Sequence, residues 1–489
     1  MLFTTPIFLF FFLPLFILIY YLSPVKGQAR NNIALLASLL FFSWGEPIYV
    51  FLLLALVFVD YQLSRLISLT SSLEVPTKKW LLVLGLVLNV GFLLTFKYTT
   101  FILKDILIPL NLYRGELPQG TGPLILGISF ITFHKISYLV DSYKGRATPP
   151  RNFYDCALYI FLFPQLIAGP IIRYHDIGNQ IHHRVYTSSF FLIGCFRFCI
   201  GFSKKILIAD QLGLVADRIF ALPLNELSLA YAWAGAFAYM LQIYFDFSGY
   251  SDMAIGLGAI MGFRFPENFN RPYISRSVTE FWQRWHISLS AWMRQYLYIP
   301  LGGNRTSRSR AFLNLWVVFL ISGLWHGANW TFLVWGAYYG FFLSLEKYLA
   351  ASFPSLKSYL PSSLRLLVTM LIVLFGWVLF RSANLSYALS YMEIMLGISK
   401  VNSYNHPWGL LLGNRDLCLL AIGALIVFFK MPEKTVPRPT WWSSAWSETM
   451  VIKNNTQLLM LFITTLTLLT ISIMGMLSVG YSPFLYFRF

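Results

Sequence analysis

The sequence predicts an all-α protein that crosses a membrane many times, and three observations support this fold class. Of its 489 residues, 57% are hydrophobic and only 12% are charged, whereas soluble domains usually have about 25% charged residues. The mean hydropathy is high, at +0.63. Uncharged runs long enough to form membrane helices recur from one end of the chain to the other.

The helices are predicted from these runs in chain order. The first run, at residues 6–22, lacks a basic leader and a small-residue cleavage site, so we expect it to be retained as a span. With the shorter runs counted, we expect about eleven membrane helices, some of them tilted or broken, and further re-entrant or interfacial helices. The later runs cover residues 31–44, 47–59, 80–96, 156–172, 227–245, 311–325, 327–345, 366–380, 417–429 and 454–487.

The chain is predicted to form a single membrane domain over residues 1–489. No segment is long enough for a separate soluble domain, which usually needs about 100 residues or more. Three regions are distinct within it: an arginine-rich region at 264–310, a polar linker at 430–453, and a final span with an aromatic tail at 454–489.

Charge and cysteine content narrow the function classes. The net charge is +17, from 37 Lys and Arg against 20 Asp and Glu. In so hydrophobic a chain this excess fits contact with membrane lipid and not nucleic-acid binding. Four cysteines lie in or beside apolar segments without a CxxC pair, so neither a disulfide framework nor a metal site is predicted.

A histidine lies in the middle of the uncharged run at residues 311–345. His326 is the only side chain there that titrates near neutrality. At about 1.5 Å per helical residue the run exceeds the roughly 30 Å of a bilayer core. We therefore expect a helix break near Gly323 and Gly327, which bracket the histidine. A titratable group at mid-membrane indicates a functional site; the alternative is a hydrogen-bonded core histidine without a catalytic role.

A group of acidic and hydroxyl side chains follows the run at 227–245. Asp246 and Asp252 lie at or beyond the end of this candidate span, and carboxylates there rarely face lipid. On a helix, Ser248 shares a face with Asp252, and Asp246 shares one with Tyr250. These side chains are predicted either to support and position a reacting group or to hold helices together.

The region at 264–310 has eight arginines and two acidic residues, which predicts a cytosolic location. Ser277 and Glu280 have the spacing of a capping box, and apolar residues then recur every three or four positions as far as Tyr296. We predict one amphipathic helix that carries His286 and is too polar to cross lipid. The arginines either orient the chain in the membrane or bind a phosphorylated substrate.

Two other segments contain histidines with alternative interpretations. For His134 and Lys135 we favour a structural role in which the lysine reaches the membrane interface. His175, His182 and His183 lie in a later loop. We interpret this loop as solvated, because no acidic or cysteine ligand spacing supports a metal cluster.

Three segments of the chain together resemble the membrane-bound O-acyltransferase family. They read YFDFSGYSDMAIGLG, MGFRFPENFNRPYISRSVTEFWQRWHISLSAWMRQYLYIPLGGNR and GLWHGANWTFLVWG. The likeness extends to both ends of the chain. Within the family, the chain resembles in particular the bacterial branch that includes the membrane subunit of alginate O-acetyltransferase. Its most specific feature is the pair WHIS and LWHGANW, whose histidines, His286 and His326, are 40 positions apart.

This resemblance implies a fold, a site and a reaction. The fold would place many helices around a central tunnel, with His326 as the catalytic histidine within the membrane and His286 as the second catalytic residue. The acyl donor would be cytosolic acetyl-CoA, with no bound cofactor, and the location would be the bacterial inner membrane. The acceptor would be an extracytoplasmic polysaccharide of the alginate type. His134 departs from the alginate members, which have an acidic residue there, so peptidoglycan and cellulose O-acetylation are alternatives.

The expected chemistry assigns a role to each candidate residue. Acyl transfer from a thioester needs a nucleophile that loses its proton as it attacks, and a neutral imidazole is suited to accept that proton. We expect His326 to act as the general base, with His286, Asn329 or backbone N–H groups near Gly327 as oxyanion donors. Four arginines are candidates for binding the phosphates of the donor: Arg276, Arg284, Arg294 and Arg305.

The chain ends in GYSPFLYFRF, an aromatic cluster around Tyr486. One interpretation is an aromatic belt at the membrane interface. The other comes from the resemblance, because the D-alanyl-transferring member of the family works with a small peptide that ends in a similar aromatic and tyrosine motif. Tyr486 is then predicted to carry the acyl group as a built-in relay.

Two other function classes fit parts of the sequence. A secondary transporter also has broken helices and mid-membrane charges, but it has no need for the paired histidines. A scaffold that only anchors an acetylation complex predicts no loss of acetylation when His326 is replaced. The enzyme is favoured. Because the chain has no hydrolase-like periplasmic domain, we expect a separate periplasmic acetyltransferase partner to complete transfer to the polymer.

Overall fold

A computed structural model of the protein describes residues 1–24, 28–69, 75–115, 125–184, 186–353, 359–398, 411–429, 455–479 and 485. Tyr486 and the polar linker at 430–453 lie outside these ranges. The regular elements within them are helices, and the one isolated β-bridge found there joins Phe269 and Trp285. The prediction of an all-α fold is confirmed.

The α-helices of the described ranges, in chain order, are α1 (Leu13–Leu22), α2 (Ala29–Ser43), α3 (Tyr49–Leu69), α4 (Val75–Leu93), α5 (Thr99–Phe101), α6 (Ile128–Tyr143), α7 (Phe153–Phe161), α8 (Phe163–Leu166), α9 (Tyr174–Ile177), α10 (Ser188–Ser203), α11 (Asp210–Phe220), α12 (Leu229–Ile260), α13 (Val278–Arg284), α14 (Ile287–Met293), α15 (Arg308–His326), α16 (Trp330–Ser352), α17 (Ser362–Arg381), α18 (Leu385–Met395), α19 (Asn414–Phe428) and α20 (Asn455–Val479). Several are extended by π-helical segments at Phe8–Phe12, Leu94–Tyr98, Ile102–Leu107, Lys204–Ala209 and Arg294–Tyr298.

Some of the described helices are long and apolar enough to cross a membrane. Four meet both criteria: Tyr49–Ser68, Val75–Leu107, Ser362–Arg381 and Thr456–Ser478. Phe8–Leu22 is a shorter apolar helix. The predicted final span is therefore present as a helix, while the total of about eleven spans and the central tunnel stay predictions.

The described residues fall into two compact units. One comprises the described residues of Met1–Phe198 together with Ser251–Pro266. The other comprises Cys199–Tyr250 and the described residues of Glu267–Met450 and Asn454–Phe489. The single membrane domain over residues 1–489 stays a prediction.

The first unit contains a buried lysine, and this corrects one interpretation of the sequence. Lys135 lies in the middle of α6 with only 2% of its surface exposed. Its Nζ is 3.2 Å from Oδ2 of Asp60, and Oδ1 of Asp60 accepts a hydrogen bond from the amide of Asn89 at 2.9 Å. The prediction that Lys135 reaches the interface is wrong, because α3 provides a buried carboxylate that neutralises it.

The histidine loop of the first unit is also less solvated than predicted. Nδ1 of His175 lies 2.7 Å from Oδ2 of the buried Asp141, and Nε2 of His182 lies 3.0 Å from Oδ2 of the buried Asp155. His183 alone of the three is exposed. Each of the first two imidazoles thus has an acidic partner on a helix far away in the sequence. No cluster of three or more potential metal ligands is found among the described residues.

The second unit contains α15 and α16, which pack against each other at two glycines. A β-carbon on Gly323 would overlap the carbonyl oxygen of Phe332, and one on Gly336 would overlap the carbonyl oxygen of Phe319. Small residues allow the two backbones to approach this closely. The hairpin positions the end of α15 against an aromatic core that includes Trp285, Trp335 and Trp377.

Candidate active site

His326 is the last residue of α15, where the sequence predicts a helix break. Gly327 is extended, with φ −169° and ψ 150°, and the next helix starts at Trp330. The side chain of Asn329 caps α16 by accepting a hydrogen bond from the backbone N–H of Thr331 at 3.1 Å. The predicted break is confirmed, and it leaves His326 with 5% of its surface exposed.

Three aromatic rings enclose the imidazole of His326. The centroid distances are 4.8 Å to Trp325, 5.0 Å to Trp335 and 5.2 Å to Phe380. The interplanar angles of 71°, 81° and 77° make all three contacts edge-to-face, an arrangement that aromatic pairs favour. Because the rings come from α15, α16 and α17, packing fixes the orientation of the imidazole.

His286 corrects the prediction of one continuous amphipathic helix. The helix ends at Arg284 and resumes at Ile287, and His286 between them has a left-handed backbone, with φ 45° and ψ 55°. The segment before α13 takes the hydrogen bonds that would have continued the helix. The N–H of Asn270 donates to the carbonyl of Arg284 at 2.9 Å, and the N–H of Ile287 donates to the carbonyl of Asn268 at 3.0 Å.

This backbone conformation is costly for a residue with a β-carbon, by roughly 1–2 kcal/mol. Such strain is found mainly where the surrounding structure enforces it, often at functional sites. His286 has no exposed surface.

The predicted N-cap of the region is confirmed, since Oγ of Ser277 accepts from the N–H of Glu280 at 3.0 Å.

Asn268 determines which nitrogen of a neutral His286 is protonated. Oδ1 of Asn268 accepts from the backbone N–H of Ser288 at 3.3 Å and from its hydroxyl at 2.8 Å, so this atom is the amide oxygen and not the nitrogen. Nδ1 of His286 lies 3.0 Å from the same oxygen and therefore donates. The neutral ring then has its lone pair on Nε2.

The two histidines lie beside the same indole ring. The centroid of Trp325 is 6.1 Å from that of His286 and 4.8 Å from that of His326. His286 lies outside the four helices that are long and apolar enough to cross a membrane. Burial of its imidazole lowers the pKa well below the usual value, and the nearby His326 lowers this pKa further. His286 is therefore neutral at physiological pH. The fold brings together the two histidines that the resemblance pairs.

The structure places the acidic candidates against buried cations. Oδ1 of Asp246 lies 2.7 Å from Nζ of Lys205 in the second unit. Oδ1 of Asp252 lies 2.8 Å from a guanidinium nitrogen of Arg197 in the first unit. Ser248 is buried on α12. No signal within the sequence marks the two cationic partners, because Arg197 on α10 and Lys205 on the π-helical segment that follows it are 55 and 41 positions from their carboxylates.

Asn329 and the four candidate arginines have different surroundings. Both polar atoms of the Asn329 side chain are used structurally, since its Nδ2 also donates to the carbonyl of Ala383 at 3.3 Å. Nε of Arg284 donates to Oε1 of Glu280 at 2.9 Å. The remaining three arginines are exposed: Arg276, Arg294 and Arg305.

Sequence reasoning missed Asn268. It lies in FPENFNRP, near the start of the arginine-rich region. Neither periodicity nor motif spacing in this segment distinguishes one residue as functional. Its role becomes apparent only when the β-bridge beside it brings residues 268–270 against residues 284–288.

Replacing Asn268 with alanine is expected to lower the rate of the predicted acyl transfer by about tenfold to a hundredfold. The reason is that the buried Nδ1–H of His286 loses the oxygen that accepts its hydrogen bond. The rate is measured as turnover of purified protein. Asn270→Ala is the matched control, since Asn270 is two residues away and exposed. Equal activity of Asn268→Ala and wild type would show that the tautomer of His286 has no influence on the reaction.

The chain matches a known family over more than half of its length. The pattern of the MBOAT, membrane-bound O-acyltransferase family matches residues 124–390, which include α12 to α17 and both histidines. The chain belongs to this family. It is a multi-pass membrane protein and an acyltransferase.

Individual relatives act on different polymers. The chain is 42% identical to the probable alginate O-acetylase AlgI of Pseudomonas aeruginosa over 445 residues, 89% of this chain and 84% of the relative. It is 36% identical to the peptidoglycan O-acetyltransferase of Helicobacter pylori over 434 residues, 82% of this chain and 81% of the relative. It is 28% identical to the teichoic acid D-alanyltransferase of Bacillus subtilis over 280 residues, 52% of this chain and 68% of the relative.

Proposed function

We propose that this protein moves an acetyl group from cytosolic acetyl-CoA across the bacterial inner membrane, for O-acetylation of an extracytoplasmic polysaccharide of the alginate type. The observation that carries the proposal is the pair of buried imidazoles, His286 and His326, beside one indole ring. The pair occurs in a chain 42% identical to a probable alginate O-acetylase.

The proposed reaction uses His326 as the general base. A hydroxyl oxygen attacks the carbonyl carbon of the thioester, and its proton passes to His326. The carbon–sulfur bond then breaks, and the proton passes from His326 to the sulfur of CoA. The edge-to-face packing of three rings holds the imidazole in place for both proton transfers.

The structure favours a different role for His286 from the expected oxyanion donor. With Nδ1–H donated to Asn268, a neutral His286 has an acceptor at Nε2 and no second N–H. We assign to it the orientation of the attacking hydroxyl. The start of α16 lies four residues after His326 and carries partial positive charge, so it can stabilise the oxyanion.

Arginines of the 264–310 region are proposed to bind the phosphates of acetyl-CoA. Arg276, Arg294 and Arg305 are exposed, as a site for a cytosolic anion requires. Arg284 is expected to attract the phosphates less strongly, because the carboxylate of Glu280 lies 2.9 Å from its guanidinium group and offsets its charge. A guanidinium group binds phosphate oxygens through two parallel hydrogen bonds.

On the far side of the membrane, a periplasmic partner protein is proposed to complete transfer to the polymer. Tyr486 is the proposed relay. Its phenolic oxygen attacks the thioester, the tyrosyl ester forms as the carbon–sulfur bond breaks, and the phenolic proton passes through His326 to the sulfur of CoA. The next hydroxyl then attacks the tyrosyl ester, and its proton returns to the phenolic oxygen as that ester bond breaks.

Tyr486→Phe is expected to abolish transfer to the polymer, since phenylalanine has no oxygen to acylate. Mass spectrometry of the protein after incubation with isotopically labelled acetyl-CoA is expected to detect the label on Tyr486. Tyr481→Phe is the matched control within the same tail. Full activity of Tyr486→Phe, together with no label on Tyr486 during turnover, would exclude the relay.

Removing this protein from its cell identifies the acceptor. If the proposal is right, the acetyl groups of an alginate-type exopolysaccharide disappear and return when the wild-type protein is restored. Loss of acetyl groups from peptidoglycan instead would favour the second candidate, which the 36% identity to a peptidoglycan O-acetyltransferase supports. Unchanged acetylation of every polymer would contradict both.

A further inference from the structure

A buried cluster of three charged residues in the second unit has no part in the proposed chemistry. Nζ of Lys205 lies 2.7 Å from Oδ1 of Asp210 and 2.7 Å from Oδ1 of Asp246. All three side chains are at least nine-tenths buried. Burial of charges is costly even when they are paired, so the cluster is expected to have a specific role.

Close packing of two helices builds this cluster. Lys205 lies in the π-helical segment Lys204–Ala209, between α10 and α11, and Asp246 lies on α12. Gly249, three residues after Asp246, lies against α10: a β-carbon there would be 2.7 Å from the carbonyl oxygen of Gly201. Only glycine permits this approach, which places Asp246 beside Lys205.

Asp246 also binds the carboxyl-terminal segment of the chain. Its Oδ2 accepts a hydrogen bond from the backbone N–H of Leu485 at 3.0 Å. The side chain of Leu485 is 4% exposed and belongs to the hydrophobic core of the unit. Both oxygens of Asp246 are thus used, one by Lys205 and the other by the tail.

The helix that precedes the tail contacts the same part of the protein. The hydroxyls of Ser472 on α20 and Ser203 on α10 are 2.8 Å apart. A β-carbon on Gly475 would lie 3.0 Å from Cγ2 of Ile206 and 3.1 Å from Cδ2 of Leu207. Two separate points of the carboxyl-terminal region, on α20 and at Leu485, are therefore held by residues around Lys205.

We propose that Asp246 is a positioning residue that anchors the carboxyl-terminal tail inside the protein through the amide of Leu485. Because Leu485 immediately precedes Tyr486, fixing its backbone restricts where the next side chain can reach. The importance of this anchor for catalysis rests on the proposed relay through Tyr486. The anchoring itself is independent of the relay and is tested separately.

The geometry requires a carboxylate at position 246. Its two oxygens face two donors, the ammonium of Lys205 and the amide of Leu485. Asparagine has one acceptor and one NH₂ donor, so it can satisfy only one of them. Asp246→Asn therefore places a donor against a donor at one of the two contacts, although it hardly changes the volume of the side chain.

The anchor is tested by digesting the full-length protein in lipid nanodiscs with carboxypeptidase and following the removal of terminal residues by mass spectrometry. Digestion beyond an anchored residue depends on its transient release. Asp246→Asn is expected to speed removal of Leu485 by about tenfold to a hundredfold. Asp210→Asn is the matched control, because it removes the same charge from the cluster without touching the tail.

A second pair of variants tests the anchor from the tail. Leu485→Ala removes most of the apolar side chain that lies in the core, and Leu485→Met retains the apolar bulk. Faster digestion of Leu485→Ala and Asp246→Asn, with Leu485→Met and Asp210→Asn close to wild type and all four melting alike, supports the anchor. Unchanged digestion of Asp246→Asn overturns it.

Activity separates the anchor from the relay. If both are right, Asp246→Asn lowers kcat for acetyl transfer and leaves KM for acetyl-CoA unchanged, since the donor site is intact. If digestion becomes faster but Tyr486→Phe is fully active, Asp246 still anchors the tail, and only the relay has failed.

Discussion

Replacing His326 with alanine is expected to lower the rate of acetyl transfer by about 10²- to 10⁴-fold, the usual contribution of a positioned general base. The rate is measured as release of free CoA thiol by purified protein in nanodiscs. Without the imidazole, no group remains among the three enclosing rings to take the proton of the attacking hydroxyl.

Alanine also leaves a cavity in this aromatic environment, so a second variant is needed. His326→Gln retains most of the volume and a polar end but cannot act as a base near neutral pH. It is expected to be as inactive as His326→Ala and to melt close to wild type. His183→Ala, at an exposed histidine, is the control for histidine replacement in general. Retained activity in both His326 variants would reject the assignment.

Replacing His286 with alanine is expected to lower kcat by about a hundredfold, within the range of a group that orients or deprotonates a nucleophile. The left-handed backbone at this position makes the choice of variant important. His286→Asn is the more informative change, because asparagine adopts this conformation more readily than most residues. It should fold normally and be less impaired than His286→Ala.

Comparison of the two His286 variants separates strain from chemistry. If His286 orients the hydroxyl, a polar replacement should recover part of kcat without changing the melting temperature. If its role is only to fill the core, activity should follow the melting temperature in both variants. Binding of acetyl-CoA, measured by calorimetry, should be unchanged in either case.

The features that sequence reasoning predicted correctly are local. The break between α15 and α16 follows from a run too long for one span, with glycines on each side of His326. The cap at Ser277 follows from its spacing to Glu280. Each of these signals arises within a few residues of chain, where periodicity and turn chemistry determine the structure.

The features that it missed are contacts between distant segments. The break at His286 depends on the β-bridge from Phe269 to Trp285, which no helical periodicity reveals. The partner of Lys135 is Asp60, 75 positions earlier, and the partner of Asp246 in the tail is Leu485. Such pairs are determined by packing of helices, so a single sequence predicts the presence of buried charges but not how they pair.

Family membership decides between the function classes that the sequence left open. An acyltransferase family whose pattern covers residues 124–390 favours the enzyme over a transporter or a scaffold. The paired histidines then have a chemical role that neither alternative requires. The acceptor of the acyl group is a proposal. Relatives named for alginate, peptidoglycan and teichoic acid show that acceptors vary within the family.

In the proposed function, an acetyl group crosses the membrane by transfer at His326. The most direct test of this transfer uses sealed vesicles that contain the purified protein, with its cytosolic face outward and the periplasmic partner and polymer inside. Labelled acetyl-CoA is added outside. Label is expected to appear on the luminal polymer with wild-type protein and not with His326→Gln, while acetyl-CoA itself stays outside. Equal labelling by the two proteins, or entry of intact acetyl-CoA, would contradict transfer across the membrane at His326.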